Sequence, residues 1–189
     1  MFLLGYKSIL NYMKNQKMLY LGVSVAVIFL VVVGVLNYRP QVKEIFSLDP
    51  QNATYTIEGQ NVALINGRAE QGVVANSVTK VITQYFGNEI KDDFNGDGKT
   101  DSVFLLTQTT GGSGTFYYVA VALGSDNGID GVNALFLGDR IAPQTTEFKN
   151  GKIIVNYAQR KPNEPMTAKP SVGVSKYFEV IDDRLVFYR

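Results

Sequence analysis

Thr115-Phe116-Tyr117-Tyr118-Val119-Ala120-Val121-Ala122-Leu123 runs without a charge and is dense in the aromatic and β-branched side chains that suit a pleated, buried surface. Alternation along a strand puts Tyr117, Val119 and Val121 on one face, which predicts packing against a core rather than an aromatic binding platform. Just before it, Ser102 to Thr107 is a second β-rich run. The two are joined through Thr109-Thr110-Gly111-Gly112-Ser113-Gly114, whose glycines permit the positive φ angles of a reversal. The pair reads as a hairpin.

Three more reversals follow the same logic. Thr54-Tyr55-Thr56-Ile57 and Val62-Ala63-Leu64-Ile65 flank Glu58-Gly59-Gln60-Asn61. Asn150-Gly151 separates Thr146-Glu147-Phe148 from Ile153-Ile154-Val155-Asn156-Tyr157 and is the strongest signal, because a type I′ turn needs φ > 0 at both central residues. Asp182-Asp183 lies between Lys176 to Val180 and Leu185 to Tyr188. Ser77 to Phe86 fits a strand or a short helix, and the proline-containing stretch 159–170 reads as an irregular loop. The fold class expected is mainly β: an antiparallel meander over residues 54–189, closing as a sandwich or an open barrel.

Ahead of this domain the composition changes. Residues 18–36, MLYLGVSVAVIFLVVVGVL, are 19 residues with no charge. A helix of that length spans roughly the ~30 Å hydrocarbon layer. The run exceeds a signal-peptide core and is followed by Asn37-Tyr38-Arg39-Pro40, so it reads as an uncleaved anchor in the bilayer. Lys7, Lys14 and Lys17 precede it, which keeps residues 1–17 cytoplasmic as a leader and sends the C-terminal domain outward. Residues 37–53, with Pro40 and Pro50, read as a linker. The expected location is the cell membrane, single-pass, with an extracytoplasmic domain.

Composition excludes much chemistry. The chain has no cysteine and no histidine, which removes disulfides, thiol nucleophiles, Cys/His zinc sites and imidazole bases. Beyond residue 36 there are 15 basic and 17 acidic side chains, a net of −2. A nucleic-acid binder would carry a basic domain, so nucleic acid is not an expected partner.

One stretch could hold a metal. Asp93-Phe94-Asn95-Gly96-Asp97-Gly98-Lys99-Thr100-Asp101 places oxygen side chains at positions 1, 3 and 5 and glycine at position 6, where a curling backbone can converge them on a hard cation. Lys99 would contribute its carbonyl, and Asp101 would act directly or through water. Position 12 is Phe104, in a β-like run, so this is not an EF-hand. The loop resembles the DxNxDGxxD calcium loops of FG-GAP and dockerin modules, and its exit into a strand is closer to FG-GAP. That resemblance implies one calcium ion on Asp93, Asn95, Asp97, Lys99 and Asp101. The competing reading is a polar turn closed by side-chain-to-backbone hydrogen bonds. More broadly, Tyr85-Phe86-Gly87-Asn88-Glu89, DFNGDGKTD, GGSGTFYYVAVAL, LGDRIAPQTTE, VNYAQRKPNEPM and PSVGVSKYF resemble an uncharacterised domain of exported or membrane-anchored bacterial proteins.

No catalytic constellation is recognisable. Ser113 lies in the glycine-rich turn, and Ser175 and Lys176 are adjacent on a strand and point to opposite faces. Asp139, Glu147 and Glu164 are the carboxylates outside the loop that a glycosidase-like pair could draw on. Asp139-Arg140 could clamp an anion but fits a solvated turn better. The functional expectation is a membrane-anchored, calcium-stabilised binding module for an envelope protein or glycan. The alternative is an envelope hydrolase using unidentified carboxylates.

Overall fold

A computed structural model describes residues 49–72 and 80–188. They contain eleven strands after a 3-10 turn at Pro50–Asn52. The first seven are β1 (Thr54–Ile57), β2 (Gln60–Ala63), β3 (Arg68–Gly72), β4 (Lys80–Asp92), β5 (Asp101–Thr109), β6 (Phe116–Ser125) and β7 (Gly128–Asp139). They form one sheet in the order β2-β1-β7-β6-β5-β4-β3. The last four are β8 (Ala142–Lys149), β9 (Lys152–Gln159), β10 (Val172–Ile181) and β11 (Arg184–Phe187), a meander in the order β11-β10-β9-β8. The large sheet curls until its two edges meet, where the Gln71 side-chain amide donates 2.7 Å to the Asn61 carbonyl, leaving a nearly closed barrel. The smaller sheet covers its outer face, so the architecture combines barrel-like and sandwich packing.

Alternation on β5 and β6 explains both layers. Val103, Leu105, Val119 and Val121 point outward into a cluster with Ile153, Val155, Tyr157, Phe178 and Leu185 of the second sheet. Phe104, Leu106, Tyr118, Ala120 and Ala122 point inward, against Tyr55, Ile57 and Val62. The run Val119-Ala120-Val121-Ala122 therefore has a size logic: valine fills the gap between sheets, and alanine leaves room inside the curl for Tyr55 and Phe104, whose rings meet edge-on at 5.5 Å. At roughly 1.5–3 kcal/mol per large side chain buried, this ribbon is the main store of burial energy.

All four predicted reversals form, the first more tightly than expected, since Gln60 and Asn61 pair within β2 and only Glu58-Gly59 remains as the turn. Glu58-Gly59, Asn150-Gly151 and Asp182-Asp183 all have positive φ, and β5 and β6 are joined through the glycine-rich stretch. Ser77 to Phe86 resolves in favour of a strand over its described part, residues 80–86. The meander is interrupted once: β1 lies parallel to β7, with Thr56 beside Asn133 and Ile57 beside Ala134. Gly131 permits that approach, because a Cβ there would stand 2.4 Å from the Thr54 carbonyl oxygen. Strands β3 and β7 are additions to the sequence reading. β3 is mostly exposed and polar, and β7 pairs with β6 through register shifts amid its glycines, so neither carries a clean period-two pattern.

The expected linker 37–53 does not run free to Thr54. Asp49 caps the 3-10 turn, Pro50 is buried and accepts a 2.6 Å hydrogen bond from the Tyr55 hydroxyl, and Asn52 Oδ1 accepts from the Asn66 amide at 2.8 Å. These bonds make residues 49–53 part of the domain. The leader and the expected membrane helix at 18–36 lie outside the described residues, among which no helix is long and apolar enough to cross a membrane.

Candidate functional site

The acidic loop between β4 and β5 is closed by its own side chains. Asp93 is its hub: Oδ1 accepts from the Gly96 and Asp97 amides at 2.7 and 3.1 Å, and Oδ2 from the Gly98 amide at 2.8 Å. Asn95 Oδ1 accepts from the Asp97 amide, and Asp97 Oδ1 from the Lys99 amide at 2.8 Å. Gly96 and Gly98 sit at φ +81° and +84°, the sharp curl expected of them. The loop is also tied outward. Asn95 Nδ2 donates 3.0 Å to Asp183 in the β10–β11 turn, and Lys99 pairs with Asp126 in the β6–β7 turn at 3.0 Å.

Asp101 behaves differently from the other four residues of the motif. It is fully buried as the first residue of β5, with Oδ2 accepting from the Phe94 amide at 2.9 Å and Oδ1 from the Gly124 amide at 2.8 Å. Burial pushes its carboxyl above the usual carboxylate value, outweighing these bonds. Gly124 can reach it because a side chain there would meet the Thr100 carbonyl at 2.6 Å. Asp97 is exposed, while Asp93 and Asn95 are half-buried. Among the described residues no group of three or more acidic side chains is gathered as a metal site. Asp93, Asn95, Asp97 and Lys99 thus share the curl, and Asp101 is turned into the protein.

A second feature, not anticipated from the sequence, is a groove of about 350 Å³ at the end of the barrel where β1 and β5 finish and β2 and β6 begin. Ile57, Val62 and Val81 supply its apolar lining, and Phe116, Tyr118 and Phe136 its rings. Phe136 packs 5.5 Å edge-on from Tyr118 and 6.4 Å from Phe116, yet is 42% exposed. The polar lining is Gln60, Gln71, Gln108, Thr110 and Glu58. Gln108 Nε2 is fixed 3.0 Å from the hydroxyl of buried Thr83, and Gln71 Nε2 is held by Asn61. Glu58 accepts the Tyr118 hydroxyl at 3.0 Å; burial, then this carboxylate, push that hydroxyl above the usual phenol range. Among the described residues, one carboxylate and no basic side chain line the groove. The signal for it lay in the other face of β6, where Phe116 and Tyr118 continue the inward row of Ala120 and Ala122.

The remaining candidates are used locally. Arg140, at φ +48°, folds back on Asp139 through Nε and Nη2, and Asp139 also accepts from the Thr115 amide; the arginine hydrogen bond, foremost, holds this carboxyl below its usual range. The pair closes a turn. Ser175 donates to Asn156 at 2.6 Å on the exposed face of the second sheet, while Lys176 reaches the opposite way to the Leu137 carbonyl at 3.0 Å. Ser113 stays in its exposed turn. Glu147 accepts from Thr145 and Asn156, and Glu164 from the Lys161 amide.

The buried Asp101 carboxyl has a pH signature. A carboxyl whose folded value is raised stabilises the fold most below its unfolded value of 3.8 and loses that contribution as pH rises through the folded value. In urea unfolding of the full chain in detergent from about pH 3 to 8, the advantage of wild type over Asp101→Asn should shrink as pH rises through that window and then level off. An advantage that grows with pH contradicts the buried assignment. In comparisons with known proteins, the chain matches no family model, no curated protein and no solved structure.

Proposed function

We propose that the domain is a binding module of the bacterial cell envelope, held at the membrane by residues 18–36, facing outward, and taking its ligand in the groove where β1 and β5 finish and β2 and β6 begin. The observation that carries this reading is the make-up of the groove: three rings and three glutamine amides around one carboxylate. Hydrolysis by carboxylates wants two acids brought to within about 5–10 Å of each other across a substrate. Glu58 is the one carboxylate among the described lining residues and is already engaged by Tyr118. Nothing in the groove favours the hydrolase alternative.

A photoreactive benzophenone side chain tests the site. Placed at Phe136 in the full chain in a bacterial envelope, it should yield covalent adducts. Placed at Tyr177, an exposed aromatic on the second sheet, it should yield none. Equal adducts from both positions, or none from Phe136, would reject the groove.

The calcium component of the proposal rests on the loop sequence and its curled backbone, with Asp93, Asn95, Asp97 and the Lys99 carbonyl as the holding residues; Asp101, expected among them, is turned into the protein and engaged by the Phe94 and Gly124 amides. Exported calcium modules bind at about 10⁻⁴ to 10⁻³ M, so about 1 mM calcium should stabilise the chain by roughly 0.4–1.4 kcal/mol. Asp97→Ala should remove that gain in a thermal melt. A melting temperature indifferent to calcium would leave the loop as a self-closed turn.

A further inference from the structure

From the chemistry of this same groove we infer that its ligand is a neutral oligosaccharide; the inference rests on the groove being the binding site. Charge removes the first alternatives. Among the described residues the lining has no lysine or arginine, so a phosphate or carboxylate ligand would meet no countercharge there and would be repelled by Glu58.

The polar groups suit hydroxyls. Gln71 and Gln108 are anchored through their nitrogens, to Asn61 and Thr83, which turns each amide into a fixed acceptor through its oxygen. Gln60 and Thr110 are exposed at the rim and can both donate and accept. Glu58 adds a carboxylate acceptor. Sugar hydroxyls, each a donor and an acceptor, can satisfy every one of these groups, whereas an apolar ligand would leave them unpaired.

The rings complete the match. The face of a pyranose is a patch of C–H bonds, and an aromatic face with its negative quadrupole attracts such a patch. Phe136 offers that surface at 42% exposure, braced by Phe116 and Tyr118. A volume of about 350 Å³ holds more than one sugar ring and lies at the small end of the roughly 300–1,000 Å³ of ligand pockets. Anchored amides and packed rings lower the ordering cost that weakens binding to mobile side chains. A quaternary ammonium ligand could use the rings and Glu58, but it would leave the three glutamines without a role.

The test is to screen the full chain, in detergent micelles, on an array of neutral and acidic oligosaccharides, then to titrate the strongest neutral binder. Phe136→Ala and Gln60→Ala should each weaken binding by at least about tenfold, Gln60→Ala with an unchanged melting temperature and Phe136→Ala with a lower one but a native circular-dichroism spectrum at the binding temperature. No neutral oligosaccharide above blank, or affinity unaltered in both variants, overturns the inference. Tetramethylammonium binding that is lost in Phe136→Ala, or benzophenone adducts at position 136 that are protein, also overturns it while leaving the groove as the site. Adducts from Tyr177 equal to those from Phe136 would instead remove the site itself.

Discussion

The β5–β6 ribbon is buried on both faces, and everything else is placed by that constraint. A strand covered on one side tolerates a polar alternate residue; one covered on both must be apolar throughout, and Val103 to Leu106 and Tyr118 to Leu123 are. The two rows differ in size. Valine and leucine on the outer row meet the second sheet, while alanines at 120 and 122 on the inner row let the large sheet curl around Tyr55 and Phe104. Because a slip of one residue would exchange the rows, the register of this hairpin fixes both cores together.

Polar groups then lock the two layers. Asn133 is buried and uses its amide like a piece of backbone, donating to the Leu185 carbonyl and accepting from the Leu185 amide at 2.9 Å each. Lys176 reaches across to the Leu137 carbonyl, and burial lowers its ammonium below the usual lysine range. The acidic loop performs a related task at the sheet end, with Asp101 holding β6 through Gly124 and Asn95 holding the β10–β11 turn through Asp183. The groove lies at the opposite end of the curl, where β1 leaves and β6 enters.

Local chemistry made the hairpins legible. Asn150-Gly151 demands a tight reversal whatever surrounds it, and its positive φ angles follow. Features set by distant partners were not legible. Nothing around Thr54 announces that Gly131 will admit it as a parallel neighbour, and the polar β3 has no pattern of its own until β4 pairs with it. At the candidate sites the divide is the same. The DxNxDGxxD spacing forecast a curl at Asp93 to Lys99 and the curl is there, but Asp101 belongs equally to β5, and the strand takes it inward. The groove draws Glu58 and Gln60, read as turn residues, together with Phe136 and Gln108 from strands far along the chain.

The direct test of the shared-register account is native-state amide hydrogen exchange across a denaturant series. Amides at Val103 to Leu106 and Val119 to Ala122 should exchange only through global unfolding, and those at Val155, Tyr157 and Phe178 in the second sheet should merge with the same isotherm. A second sheet that opens at a distinctly lower free energy while the ribbon stays protected would contradict the claim that one hairpin organises both layers.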